Sequence, residues 1–348
     1  MIKQYFKYPL FLFRHAVLAL LLVFAFTDKP ANAADVMHGA PDYWLGGEDP
    51  VVQKDKNKSD PSDYMDLFRP NSPWSSSAAS LKGLKISTQL VLRGTDEQLI
   101  VVIEGLKARH IAMSIEMGLL VYSDEPPSCG KGSEGYSRAP GPGRPSVAER
   151  VAKRLTDLGG KLDYIEMDEP VTWGYSRTGL TRQGYPFCHQ PIDELVDQMA
   201  PQVAVLRRYF PSIEFGLVDS VNGRWPDLPQ GILTLADLME EKLHVKIAFV
   251  HTDVAWDSNW RPGLRALAQG LRERGIRFGI ICDGDVRAPS DEASANQALE
   301  RCQEVNRDPK TKLDDFMIQS WMLRPTKMLP DTIPGTSTWI LRQVETLD

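Results

Sequence analysis

Short apolar runs alternate with longer amphipathic ones from about residue 85 to the end of the chain, and this pattern restricts the fold most. Lys85–Val91, Ile111–Tyr122, Leu162–Asp168, Ile213–Asp219, Lys246–Asp253, Ile276–Asp283 and Asp315–Trp321 are rich in Ile, Val and Phe and read as strands. Asp96–Ala108, Val147–Leu158, Ile192–Tyr209, Leu235–Leu243, Pro262–Arg274 and Asp291–Val305 read as the helices between them. Strands that are apolar on both faces belong to a parallel sheet covered by helices. An eighth strand is expected near Asp35–Leu45, before the poorly patterned stretch Gly46–Ser80. Eight strand–helix units of about 39 residues each fill a (β/α)8 barrel in one domain. The competing doubly wound open sheet normally carries a Gly-rich phosphate turn after its first strand. Neither G-x-G-x-x-G nor G-x-x-x-x-G-K occurs here.

The barrel is expected over residues 34–348, because residues 1–33 read as a signal peptide. Lys3, Lys7 and Arg14 form a basic start, Ala16–Phe26 is an apolar run of 11 residues, and Ala31-Asn32-Ala33 offers a cleavage site. A bilayer span needs roughly 20 apolar residues, so the run is too short for an anchor. Cleavage leaves 315 residues carrying -9 instead of -6, exported to the periplasm or secreted, with no membrane attachment. A charged fraction of 25% and mean hydropathy of -0.28 are those of a folded soluble chain, and the negative balance excludes a nucleic-acid backbone binder. Export permits disulfides. Cys129 and Cys188 lie in the long polar loops Ser123–Ser146 and Trp173–Gln190, and are expected to pair across one side of the barrel mouth. Cys282, in an apolar strand, and Cys302, in a helix, are expected as buried free thiols.

Acids gather where the strands end. In Leu162–Pro170 the alternation of strand side chains puts Ile165 and Met167 on one face and Glu166 and Asp168 on the other, with Glu169 at the end before Pro170. Three acids within four residues of a buried strand are costly unless hydrogen-bonded or functional. Other strands close with Asp219, with His251-Thr252-Asp253, with Asp283-Gly284-Asp285 and with Gln319-Ser320-Trp321, and Glu116 has inward parity on the third. A solvated strand end or a helix cap explains any one acid, but five strands ending alike converge on one mouth. Trp173, Tyr175, Tyr185, Phe187, Trp225, Trp256, Trp260 and Trp321 lie in or just before the segments that follow. Flat rings beside acids and amides suit the apolar face and hydroxyl edge of a sugar, although about half of them are expected simply to pack the loops.

Asp168-Glu169-Pro170 at the end of a fourth barrel strand resembles the Asn-Glu-Pro motif of clan A glycoside hydrolases, and Trp321 near the eighth resembles theirs. The resemblance makes Glu169 the proton donor and puts Asp168 where the clan has Asn. It departs at the seventh strand, where the clan's nucleophilic Glu is replaced by Cys282-Asp283-Gly284-Asp285. Asp163, Glu166 and Asp168 also resemble the D-x-x-D-x-D-x-E run of chitinase-type barrels, with Pro170 in place of its catalytic Glu.

Cleavage of a glycosidic bond needs one carboxylic acid to protonate the leaving oxygen and one carboxylate to attack or to activate water. The expected acid is Glu169, its partner Asp219 or Asp253, with Asp283 third. Glu116, Glu166, His251, Gln319, Trp173, Tyr175, Trp256 and Trp321 are expected to bind a carbohydrate, and the chemistry requires no cofactor and no metal. Two alternatives stay open. One is a metal-dependent hydrolase built on His251-x-Asp253, although no H-E-x-x-H occurs. The other is a barrel that binds glycans without cleaving them.

Overall fold

The computed structural model describes residues 40–47, 49–55, 63–181, 183–285, 287–320 and 324–347. The expected signal peptide and Trp321 lie outside them. Eight parallel strands close into a barrel: β1 Asp42–Gly46, β2 Leu81–Ser87, β3 Ala112–Met117, β4 Tyr164–Asp168, β5 Glu214–Val221, β6 Ile247–Val254, β7 Arg277–Cys282 and β8 Asp315–Ile318. Each pairs with its neighbours in sequence, and β1 pairs β8 to close the ring. This is the (β/α)8 barrel, in which every crossover helix packs back on the sheet.

Several strand limits differ from expectation for local reasons. The second strand was expected over Lys85–Val91, but it ends at Ser87, whose hydroxyl accepts from Leu90 N and starts the helix Thr88–Arg93. Periodicity does not separate strand from helix in so short an apolar run, and the capping serine decides it. The third breaks at Gly118, after which Leu120–Tyr122 leaves the barrel to pair with Tyr136–Arg138. The first falls at the far end of its expected window.

The sequence alternation is realised as two packing surfaces. Ile165, Met167, Leu217, Val250 and Ile280 face the helices, whereas Trp44, Tyr164, Val218, Phe249, Ile281 and Met317 form a separate cluster inside the barrel. Gly216 makes room there, since a Cβ at that position would stand 2.2 Å from the Phe249 ring. The large rings therefore close the lower half of the barrel, leaving polar residues for the half nearer the strands' carboxyl ends.

Cys129 and Cys188 are bonded, with Cα atoms 4.9 Å apart, tying the loops after β3 and β4 together. The free-thiol expectation for Cys282 and Cys302 is corrected: they too are bonded, at a Cα separation of 5.7 Å. Cys282 has the outward parity of Ile280 and so faces the helix Asp291–Arg307, which presents Cys302 to it. An apolar setting reads identically for a thiol and for half of a disulfide.

Candidate active site

Inward positions of six strands build a buried polar layer above the aromatic floor. Lys85 on β2, 2% exposed, contacts Glu116 Oε2 at 2.6 Å and Glu166 Oε2 at 3.1 Å. Ser114 Oγ donates to Glu166 Oε1 at 2.7 Å, and His251 Nδ1 lies 3.1 Å from Glu166 Oε2. His251 Nε2 stands 3.8 Å from Asp315, which accepts from Trp44 Nε1 and pairs with Arg277. Burial alone would raise the Glu166 pKa, but Lys85, His251 and Ser114 outweigh it and hold the carboxyl at about 2. Glu166 and His251 are fully buried. They lie deeper in the barrel than the strand-end acids and are linked to Lys85 through Glu166.

The mouth lies above this layer. Asp168, Asp253, Asp283 and Gln319 carry the inward parity of Tyr164, Phe249, Ile281 and Met317 respectively, so their side chains converge there. Glu169 accepts from the Ser220 hydroxyl. Its φ is 40°, in the left-handed region, where the other described non-glycine residues are Asn71 and three histidines. A glutamate followed by proline is strained in that conformation, and such outliers collect at functional sites. Burial, then the charges of Asp253 and Asp219, push Glu169 up to about 8. Burial raises Asp253 to about 6, aided by Glu134 and opposed by Lys85 and Arg177. Asp168 rises well above the usual carboxylate range through burial and the charges of Glu116 and Glu169. Asp283 reaches about 7 through burial and Asp253, while accepting from Trp256 Nε1 at 2.8 Å and lying 3.3 Å from Arg301.

Asp219 is not among them. It has the parity of Phe215 and Leu217, and turns toward the helices, accepting from the backbone N–H of Val171 at 2.9 Å and of Thr172 at 3.2 Å, and from Ser220 N. Its oxygens are engaged in holding the turn Thr172–Ser176 that follows Glu169. Ser220, one step on, takes the inward place. Trp173 is buried and stacked on Phe187, shaping the wall of the mouth, and Tyr175 is half-buried beside it. Trp256 packs edge-on against Trp260 with its N–H on Asp283.

Four contributors escaped sequence reasoning. Lys85 and Ser220 were readable in principle, because each has inward parity on its strand. Glu134 and Arg177 lie on loops, where no period reports direction; the charge of Glu134 bears on Glu116, Asp168, Glu169 and Asp253 together. Among the described residues, no three His, Cys, Asp or Glu side chains come together as metal ligands do, and His251 is spoken for by Glu166. A cavity of about 530 Å³ at the opposite end of the barrel, lined by Trp44, Tyr164, Phe249 and Arg277, contains none of the mouth acids.

A closed (β/α)8 barrel with acids gathered at the carboxyl ends of its strands has them on the face where barrel enzymes place their sites. No family model matches the sequence, and no curated protein does. Solved structures do match in fold. A family 10 endoxylanase from a sugarcane soil metagenome superposes with a TM-score of 0.50 at 11% identity, over 88% of this chain and 97% of that one. A psychrophilic family 10 endo-β-1,4-xylanase gives 0.51 at 10% identity over 89% and 97%. A glucosidase from Croceicoccus marinus gives 0.51 at 10% identity, over 90% of this chain and 69% of its own. At these identities the likeness is one of fold.

Proposed function

We propose that the protein is an exported glycoside hydrolase in which Glu169 is the general acid and Asp253 its partner carboxylate. One observation carries the reading: Glu169, held at φ 40° against the Ser220 hydroxyl, lies in one mouth with Asp253, whose charge opposes its ionisation. Glu169, at about 8, keeps its proton for the leaving oxygen, while Asp253, at about 6, is ionised to attack the anomeric carbon or to activate water. Environments that push two titrating groups apart are how acid and base roles are divided between like side chains. Asp253 is preferred to Asp283 because it is the leading charge on Glu169 and is not tied to Trp256 and Arg301. Asp283, Gln319 and Asp168 bind sugar hydroxyls, and Trp256 offers an aromatic face.

Two disulfides favour an oxidising compartment, in keeping with a cleaved leader and a polysaccharide met outside the cytoplasm. The endoxylanase barrels make xylans the first polymer to assay.

The test is turnover by Glu169→Gln and Asp253→Gly. Loss of the acid is expected to lower cleavage of natural glycans roughly 10²–10⁴-fold. It should spare aryl glycosides whose leaving group needs no proton. Azide is expected to restore Asp253→Gly and yield a glycosyl azide, whereas an Asp283→Gly enzyme gains nothing from it. Full activity of Glu169→Gln on a cleaved glycan would overturn the assignment.

A further inference from the structure

Among the described residues, Arg177 is a cation at the mouth with no acid paired to it. The Arg177 guanidinium carbon lies 3.9 Å from the Trp173 ring centroid, 5.1 Å from Trp225 and 6.0 Å from Phe187. These rings are themselves held: Trp173 and Phe187 stack at 5.4 Å, and the next residue, Cys188, is bonded to Cys129. Among the described residues Arg177 makes no ion pair, and its buried Nε meets no acceptor. Its charge nonetheless reaches into the mouth, where it acts on Asp253. Among the described residues, Lys85 is engaged by Glu116 and Glu166, and Arg301 by Asp283, while Lys131 lies over the Tyr185 ring at 4.8 Å.

A guanidinium lying over aromatic faces has its orientation fixed while its in-plane N–H groups stay available, an arrangement matched to a planar carboxylate. We propose that Arg177 binds a carboxylate carried by the sugar, so that the substrate is a uronate-bearing glycan. This rests on the glycosidase reading and narrows it to a substrate class. The acids of the mouth do not forbid an anion: Glu169 is pushed up to about 8, burial and neighbouring charge raise Asp168, Glu116 is paired with Lys85 and Asp283 with Arg301, and the charge of Asp253 is opposed by Lys85 as well as by Arg177. What remains is a mouth that discriminates: neutral sugar hydroxyls meet the acids, and the charged substituent meets Arg177 at the wall.

The competing role for Arg177 is purely structural, as a cation that glues the loop rings together. Calorimetric binding in a Glu169→Gln background, where turnover does not consume the ligand, separates the two. The probes are oligosaccharides of glucuronoxylan, alginate and polygalacturonate, each beside its carboxyl-reduced counterpart. At least one acidic member is expected to bind about 10-fold more tightly than its neutral partner. Adding Arg177→Gln should weaken the acidic member alone, and Arg177→Lys should restore part of the preference. The neutral member serves as the control for folding. Equal affinities within every pair overturn the proposal, as does an Arg177→Gln variant that weakens both members alike. Wild-type turnover tells the two readings apart. Neutral glycans cleaved without acidic preference keep the glycosidase and reject the role of Arg177, whereas acidic glycans bound through Arg177 but never cleaved do the reverse. Failure of every probe to bind overturns both.

Discussion

Replacing Glu169 by Gln should make the protein more stable as it makes it inactive, and the gain should depend on pH in a defined way. A carboxyl moved from 4.5 to about 8 disfavours its ionised form by about 5 kcal/mol relative to the unfolded chain. Between those two values the folded state holds a proton that the unfolded state has released, so stability falls as pH rises. Below pH 4.5 both states hold the proton and the effect is absent. At pH 7 it has reached about 3 kcal/mol, and above pH 8 it levels off near the full value. Gln cannot ionise, keeps the shape of the protonated acid and retains an oxygen to accept from Ser220. Glu169→Gln is therefore expected to match wild type at pH 4, to exceed it by about 3 kcal/mol at pH 7 and by about 5 kcal/mol at pH 9. In thermal melts the pH 7 gain corresponds to roughly 4–5 °C for a chain of this size. Guanidinium unfolding with disulfides intact, run on both proteins at the three pH values, measures it directly. Asp253, whose charge helps to raise Glu169, is relieved of that repulsion in the variant, and this relief is part of the gain at high pH. A gap that does not change with pH, or a variant less stable than wild type at pH 9, would refute the electrostatic account of the mouth.

The remaining predictions draw on the same network. The kcat/KM profile should be bell-shaped, rising as Asp253 loses its proton near pH 6 and falling as Glu169 loses its own near pH 8. With an aryl glycoside, Glu169→Gln should lose the alkaline limb only. Lys85→Met strands two carboxylates inside the barrel and should cost roughly 3–5 kcal/mol in denaturant unfolding. The unreduced, denatured protein should show no thiol to Ellman's reagent, and serines at both Cys282 and Cys302 should lower stability by roughly 3 kcal/mol, leaving the pH profile unchanged.

How much of this was legible varies by element, and the variation has causes. Seven strands announced themselves because a strand buried on both faces must be apolar throughout. Their ends were less certain where the apolar run continued into a helix, as from Ser87 to Val91. Alternation placed Glu166 and Asp168 on the inner face of β4, yet the same rule applied to β5 would have turned Asp219 outward and brought Ser220 in. The neighbours Gly216 and Val218 carried that information, and the appeal of an acid at a strand end obscured it. His251 was expected at the mouth and lies below it, because depth along a strand depends on how far each strand projects, a property of barrel register. Glu134 and Arg177 reach the site from loops whose course is set by a disulfide between residues 59 positions apart.

By itself, the sequence determined the strand–helix order, the face on which each strand residue stands and the gathering of carboxyl groups at one end of the barrel. These are local properties of a chain with period two in its strands. Which of those carboxyls keeps a proton was decided only by tertiary structure. Glu166 on β4 and Glu169 just past its end stand three residues apart, yet one is held at about 2 and the other at about 8. The difference comes from Lys85 and His251 on two other strands, which neutralise the first, and from Asp253, which opposes ionisation of the second. Charge acts through space between strands that the fold alone makes neighbours.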